Sequence, residues 1–226
     1  MWFVTNQKLG GSALGLQRLL GLGSYQTAWT WLHKMRRAMV RPGRDRLSGC
    51  VEVDETYLGG PEVGAAGRKT ETKSMIVIAA EENGQGIGRI RLRRIPDVSA
   101  ASLIPFVHEA VQPGALVHTD GWGGYNAMEA EGYKHKVSNI KRSEQLAHEL
   151  MPRVHRVAAL LKRWILGTHQ GSASDKHLDY YLDEFTFRFN RRHARSRGLL
   201  FYRLLQQAVQ VEPVPYRRLV GRKSEQ

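Results

Sequence analysis

The sequence predicts an α/β fold, a mixed sheet flanked by helices and preceded by a helical segment. Three observations predict it. Between residues 50 and 95, three short apolar segments are separated by turn residues, as consecutive strands are. From 99 to 140, an amphipathic stretch is followed by apolar runs, so helix and strand alternate. From 153 to 192, two stretches hold their apolar side chains on single helical stripes.

At the front, SALGLQRLLG (12–21) carries Leu14, Leu16, Leu19 and Leu20 ahead of a glycine, a short helix with its stop signal. SYQTAWTWLHKMRRAMV (24–40) sets Ala28, Trp29, Leu32, Met35 and Met39 near helical spacing. Joined by GLGS, the pair has the outline of a helix-turn-helix, an outline that plain packing pairs share. RPGRDRLSG serves as a linker. Strands follow at 50–57, at 75–80 (MIVIAA) and at 86–95 (GIGRIRLRRI), with ENGQG turning between the last two. A helix over 99–112 contains Pro105, and a strand over 115–120, ALVHTD, is closed by GWGGY. A short helix and a fifth strand near 135–140 complete the sheet.

The helix at 153–167 aligns Val154, Val157, Leu161, Trp164 and Ile165, and the helix at 175–192 aligns Leu178, Tyr181, Leu182, Phe185 and Phe189. Both stripes are assigned to core. A last helix near 199–210 leads into VEPVPYRRLVGRKSEQ, read as a frayed basic tail. Three strands, a helix, a strand, a helix, a strand and then long helices is the element order of a ribonuclease H-like domain. Strand order within the sheet does not follow from it.

Composition narrows the function. With 42% hydrophobic and 24% charged residues, the 226-residue chain can bury a real core. No apolar run approaches the ~20 residues of a membrane span, and the opening MWFVTNQKLGG has no signal-peptide order, so a cytoplasmic protein is expected. A single cysteine, Cys50, excludes an internal disulfide framework and a CxxC zinc site. Thirty-four Lys and Arg against 21 Asp and Glu leave a net charge of +13, which favours a polyanionic partner, nucleic acid above all.

Against that charge, two aspartates stand out. Asp54 lies late in the 50–57 strand, where Val51 and Val53 alternate with Cys50, Glu52 and Asp54, so one side is apolar and the other acidic. Asp120 ends the 115–120 strand, again before a glycine-rich turn. A lone aspartate there is commonly a turn or cap residue. Two of them at converging strand ends in a basic chain repel unless a cation lies between them. Mg²⁺ takes a few carboxylates plus substrate phosphates, and a pair of such ions suits phosphoryl transfer. On the 153–167 helix, His155 and Lys162 are seven residues apart and share a face, with the small Ala158 and Ala159 between them and Arg156 and Arg163 further round.

VEVDETYLGG, HTDGWGGYN, VHRVAALLKRWILGTHQGS and KHLDYYLDEFTFRFNRR together resemble bacterial insertion-sequence transposases of the DDE superfamily, in the branch with an added lysine on the last catalytic helix. The resemblance covers roughly residues 8–205. It implies a ribonuclease H-like core, a two-metal site for Mg²⁺ or Mn²⁺, and cut-and-join chemistry on double-stranded DNA by a homo-oligomer. By position, Asp54 and Asp120 are the two aspartates, His155 fills the third metal slot, and Lys162 is the lysine. Most of the superfamily has Glu in that slot, with Asn or His in some members of this branch, and His suits Mg²⁺ less well than softer ions. Glu149 is a lower-ranked stand-in. Such transposases usually begin with a cysteine-bearing zinc ribbon, whereas this chain opens inside the helical segment that follows one.

The resulting expectation divides the chain into a helical DNA-binding segment (1–45), a catalytic domain (46–210) and a basic tail (211–226). Arg156, Arg163, Arg191 and Arg192 are candidate phosphate contacts. Trp122 and Tyr125 of GWGGY either stack on a splayed base or anchor their loop, and GTHQGS (167–172) is a further DNA-contact candidate. The alternatives to a working transposase are a catalytically inactive DNA-binding remnant and a ribonuclease H-like nuclease.

Overall fold

Ser12 and Gly21 bracket the first helix that the sequence predicts. The Ser12 hydroxyl accepts the Gly15 N–H at 3.0 Å, and Gly21 ends the helix in the left-handed region at φ +61°. In chain order the helices here are α1 (Trp2–Asn6), α2 (Ala13–Leu20) and α3 (Tyr25–Arg37). Strands β1 (Cys50–Leu58), β2 (Ser74–Asn83) and β3 (Gly86–Ile95) follow, then α4 (Ala100–Ala110), β4 (Leu116–Thr119) and β5 (Lys134–Val137). The chain continues through α5 (Ala147–Leu150), α6 (Pro152–His169), α7 (Leu178–Asn190), α8 (Arg197–Ala208) and α9 (Tyr216–Val220). This computed structural model describes residues 1–7, 9–41, 43–59, 73–139, 146–169 and 175–221. Among them no helix is long and apolar enough to cross a membrane.

The chain divides into two units, Asp45–Asp179 and Met1–Arg44 with Tyr180–Gln226. The first holds a five-stranded sheet in the order β3-β2-β1-β4-β5. β1, β2 and β3 form an antiparallel meander, while β4 runs parallel to β1 and β5 parallel to β4. This is the mixed, ribonuclease H-like sheet flanked by helices, with the strand order that the element sequence left open. One face buries Val51, Val53, Val77 and Val117 against Leu103 and Phe106 of α4. On the other side of the sheet α6 packs along β1 and β2, burying Val154, Val157 and Leu161.

The second unit gathers α1–α3 with α8, α9 and most of α7. Val4, Leu16, Ala28 and Leu32 share a core with Phe187 and Leu204. Inside it the buried carboxylate of Glu184 accepts Arg36 Nε at 2.7 Å and Arg188 Nε at 2.8 Å. Burial acts to raise its pKa, but the two guanidiniums outweigh that and hold it below the usual carboxylate range. Residues 216–220, expected as frayed tail, form α9 because Leu219 is buried, at 1% exposure. Residues 222–226 lie outside the described residues.

Candidate catalytic site

Two-residue alternation in β1 sorts its side chains. Val51 and Val53 point into the α4 side, so Glu52 and Asp54 face α6. The β1–β4 register pairs Cys50 with Leu116, Val51 with Val117 and Glu52 with His118. Asp54, in the middle of β1, and Asp120, the residue after β4, each lie two residues beyond the Glu52–His118 row, on the same side of the sheet. One oxygen of each acid is already held by its own turn. Asp54 Oδ1 accepts the Glu55 N–H at 2.8 Å, and Asp120 Oδ1 accepts the Trp122 N–H at 2.9 Å.

The third element arrives by way of Glu52, at the N-terminal end of α6. Glu52 is buried and accepts the backbone N–H groups of Arg153 (2.7 Å) and Val154 (2.9 Å) and the Arg153 guanidinium (2.9 Å). Arg153 also donates to Glu82, to the Gly84 carbonyl and to the Gly86 carbonyl. The start of α6 is thereby fixed to β1 and to the β2–β3 hairpin. Two residues beyond Arg153, His155 puts its Nε2 3.7 Å from Asp54 Oδ2. That nitrogen is buried and, among the described residues, has no hydrogen-bond partner. Burial above all depresses the His155 pKa, with His148 and Lys162 adding to it, although Glu52 and Asp120 pull it back up. A neutral imidazole, with a lone pair for a cation, is the favoured form at neutral pH. Lys162, two turns along α6, is exposed.

Among the described residues, no three His, Cys, Asp or Glu side chains form a ready-made metal cluster. The donor set nevertheless fits a hard divalent ion that keeps substrate phosphates among its ligands. It offers two carboxylates on one side of the sheet, with an orphaned imidazole nitrogen facing one of them. Glu149, the lower-ranked stand-in, accepts the Leu146 N–H at the start of α5.

The loop after Asp120 is built close against the sheet. Gly121 has φ +80°, and a Cβ on Gly124 would lie 2.6 Å from the Val98 carbonyl oxygen, so that position admits no side chain without a backbone shift. Trp122 donates its indole N–H to the same carbonyl at 2.7 Å and packs on the core, which favours its loop-anchor role. Tyr125 is fully buried and donates its hydroxyl to Glu55, so of its two expected roles the loop anchor fits and base stacking does not. Burial first, and then Glu55, raises the Tyr125 pKa well above its ordinary value. Sequence reasoning missed Glu55, yet it had a signal: a carboxylate on the apolar side of β1 needs a buried partner.

The remaining candidates are scattered. Arg156 and Arg163 are exposed on α6. Arg191 and Arg192 belong to the other unit, each 4.1 Å from the ring centroid of Phe187 or Phe189. Burial, helped by Arg203 and Arg41, lowers the Arg191 pKa to about 10. Much of the positive charge of β3 is matched internally: Arg89 pairs with Glu81 at 2.7 Å, Arg93 with Glu109, and Arg94 with Asp179 at 3.7 Å. In GTHQGS, residues 170–172 lie outside the described residues.

The mixed sheet thus carries Asp54 within β1, Asp120 just after β4 and, on α6, His155 beside Asp54. Residues 46–190 match the ISXO2-like transposase domain, and the chain belongs to that family of transposases. A transposase-like protein of uncharacterized function from Haemophilus influenzae is 24% identical over 102 residues, covering 45% of this chain and 81% of the relative. Among solved structures, the Mos1 strand transfer complex is similar at 12% identity and a TM-score of 0.38, covering 96% of this chain and 78% of that one. A simian T-cell lymphotropic virus intasome, in complex with the PP2A regulatory subunit B56 gamma, is similar at 14% identity and a TM-score of 0.38, covering 90% and 76%. At these scores neither structural similarity bears on function.

Proposed function

We propose that this chain cleaves double-stranded DNA at insertion-sequence ends and joins the freed ends to target DNA, with Asp54, Asp120, His155 and Lys162 as its catalytic residues. The observation that carries the proposal is that Asp54 and Asp120 each lie two residues beyond the same β1–β4 row, on one side of the sheet, with the orphaned His155 Nε2 3.7 Å from Asp54 Oδ2. Asp54, Asp120 and His155 would hold Mg²⁺ or Mn²⁺. Bound there, a pair of such ions activates water and offsets the charge that develops on the phosphoryl group.

The chain's own residues do the rest. The local N–H bonds to Asp54 and Asp120 orient each carboxylate before substrate arrives. Lys162 balances phosphate charge in the transition state, and the exposed Arg156 and Arg163 position the backbone without reading sequence. Arg191 and Arg192 are further phosphate contacts in this reading. In the first step, the oxygen of water bonds to phosphorus and the bond to the 3′ oxygen breaks, leaving a 3′-OH on the transposon end. In the second, that 3′ oxygen bonds to a target phosphorus and displaces the target's own 3′ oxygen. The protein works in the cytoplasm as a homo-oligomer on DNA, since two ends must meet before both can be joined.

The test uses the full chain, labelled duplexes carrying the terminal repeats that flank its reading frame, and Mg²⁺ or Mn²⁺. Nicked ends with a free 3′-OH and joined products are expected, both abolished in Asp54→Ala. Cleavage with no joined product would leave a nuclease. DNA binding with no metal-dependent product would leave an inactive remnant.

A further inference from the structure

The paired rows of β1 and β4, which end two residues short of Asp54 and Asp120, continue onto β5. Glu52, His118 and Lys136 are register partners across β1, β4 and β5, and Leu116 pairs with Lys134. Partners in a parallel ladder point to the same side, so Lys136 and Lys134 rise from the face that carries the two aspartates. On that face α6 packs along β1 and β2, to one side of Asp54, while β5 is the sheet edge to the other side. Lys134 and Lys136 are both exposed. Among the described residues neither has an ion-pair partner, unlike Arg89, Arg93 and Arg94 on the opposite edge strand. His118, between Glu52 and Lys136, is buried, and its Nε2 lies 2.7 Å from Ser138 Oγ, so the intervening row adds no free carboxylate.

Resting on the function proposed above, we infer that Lys134 and Lys136 form a phosphate ladder. It carries one DNA strand along β5 towards the Asp54–Asp120 edge. Two residues of strand span roughly 6.6 Å, close to the separation of successive phosphates along one DNA strand. Lysine is a strongly hydrated point charge that grips phosphate without reading sequence. The ladder and the exposed basic residues of α6 then form two positive walls, with the acids between them on the sheet.

Lysines also protect an edge strand from pairing with another sheet, and the two roles predict different results. The experiment titrates the full chain with a duplex of arbitrary sequence over a range of salt concentrations. Removing one lysine–phosphate pairing should shallow the slope of log K against log salt by about 0.9. Lys134→Gln with Lys136→Gln should therefore shallow it by about 1.8, whereas Lys134→Arg with Lys136→Arg should leave it unchanged. A wild-type slope in the glutamine variant overturns the ladder while leaving the transposase reading intact. Absence of salt-dependent binding by the wild type defeats that reading and the ladder together. Should the glutamine variant aggregate, lysine acylation of the wild type decides. Labelling at positions 134 and 136 is expected to fall when DNA is added, and unchanged labelling at both overturns the inference.

Discussion

Glu52 and Arg153, 101 residues apart in sequence, join β1 to the first turn of α6 through a 2.9 Å side-chain bond and a 2.7 Å bond to the Arg153 backbone N–H. The same β1 face carries Asp54 two residues on, and α6 carries His155 two residues on. The pair thus sets where the imidazole stands relative to the aspartate. Removing the acid leaves the guanidinium its Glu82 and carbonyl partners but strands the Arg153 and Val154 N–H groups that the buried Glu52 accepts. Glu52→Ala should lower unfolding stability by about 2–4 kcal/mol, read from urea denaturation. Glu52→Gln keeps an acceptor for the helix N–H groups and should cost about half as much. Equal losses in the two variants would count against the cap.

Asp54 and Asp120 put like charge on one side of the sheet, each two residues beyond the same β1–β4 row, and like charges repel. Asp54→Asn and Asp120→Asn should each abolish metal-dependent cleavage and leave the melting temperature unchanged or raised by a few degrees. Thermal melts beside the cleavage assay check both halves. A large fall in melting temperature would mean that the carboxylates hold the fold rather than a cation.

The two aspartates were legible in the sequence because each stands out in or just after a short apolar segment, although β1 runs on to Leu58 and holds Asp54 at its middle, not late as expected. The strand pairing that brings them together was not, since β1 and β4 pair in parallel across 66 residues. A separation of 101 residues hid the partner of Glu52, Arg153, which gives no local signal. Helix α1 escaped notice because five residues, Trp2–Asn6, carry too little periodicity to register. Charge counting treats every arginine of β3 as available to a partner, since sequence alone does not show that Glu109 and Asp179 reach Arg93 and Arg94. Helices α2, α3, α4 and α6 were legible from cap residues and apolar spacing, which act locally.

Under the proposed function, His155 would offer a nitrogen in the slot where most of the resembled superfamily offers a carboxylate. Nitrogen ligands favour Mn²⁺ over Mg²⁺, so cleavage by the wild type should need less Mn²⁺ than Mg²⁺. His155→Glu should lower the Mg²⁺ concentration giving half-maximal cleavage and narrow the gap between the two metals. Titrating both ions against both proteins checks this. An unchanged ratio would remove His155 from the ligand set.

Glu81 predicts how the fold responds to acid. Its burial acts to raise the pKa, but hydrogen bonds from the Arg89 guanidinium and from the Ser48 and Arg89 N–H groups, with the Arg89 charge, bring it from 4.5 down to about 2. A depressed carboxylate stabilises the fold fully above its unfolded pKa and loses that contribution as pH falls through its folded one. The Glu81–Arg89 contribution is therefore present above about pH 4.5 and is lost between there and about pH 2. Glu81→Gln should be less stable than the wild type at about pH 7, and the gap should close as pH falls through that window. Urea midpoints at about pH 7, 4.5, 3 and 2 measure it, and parallel curves for the two proteins would show that the pair does not carry the acid response.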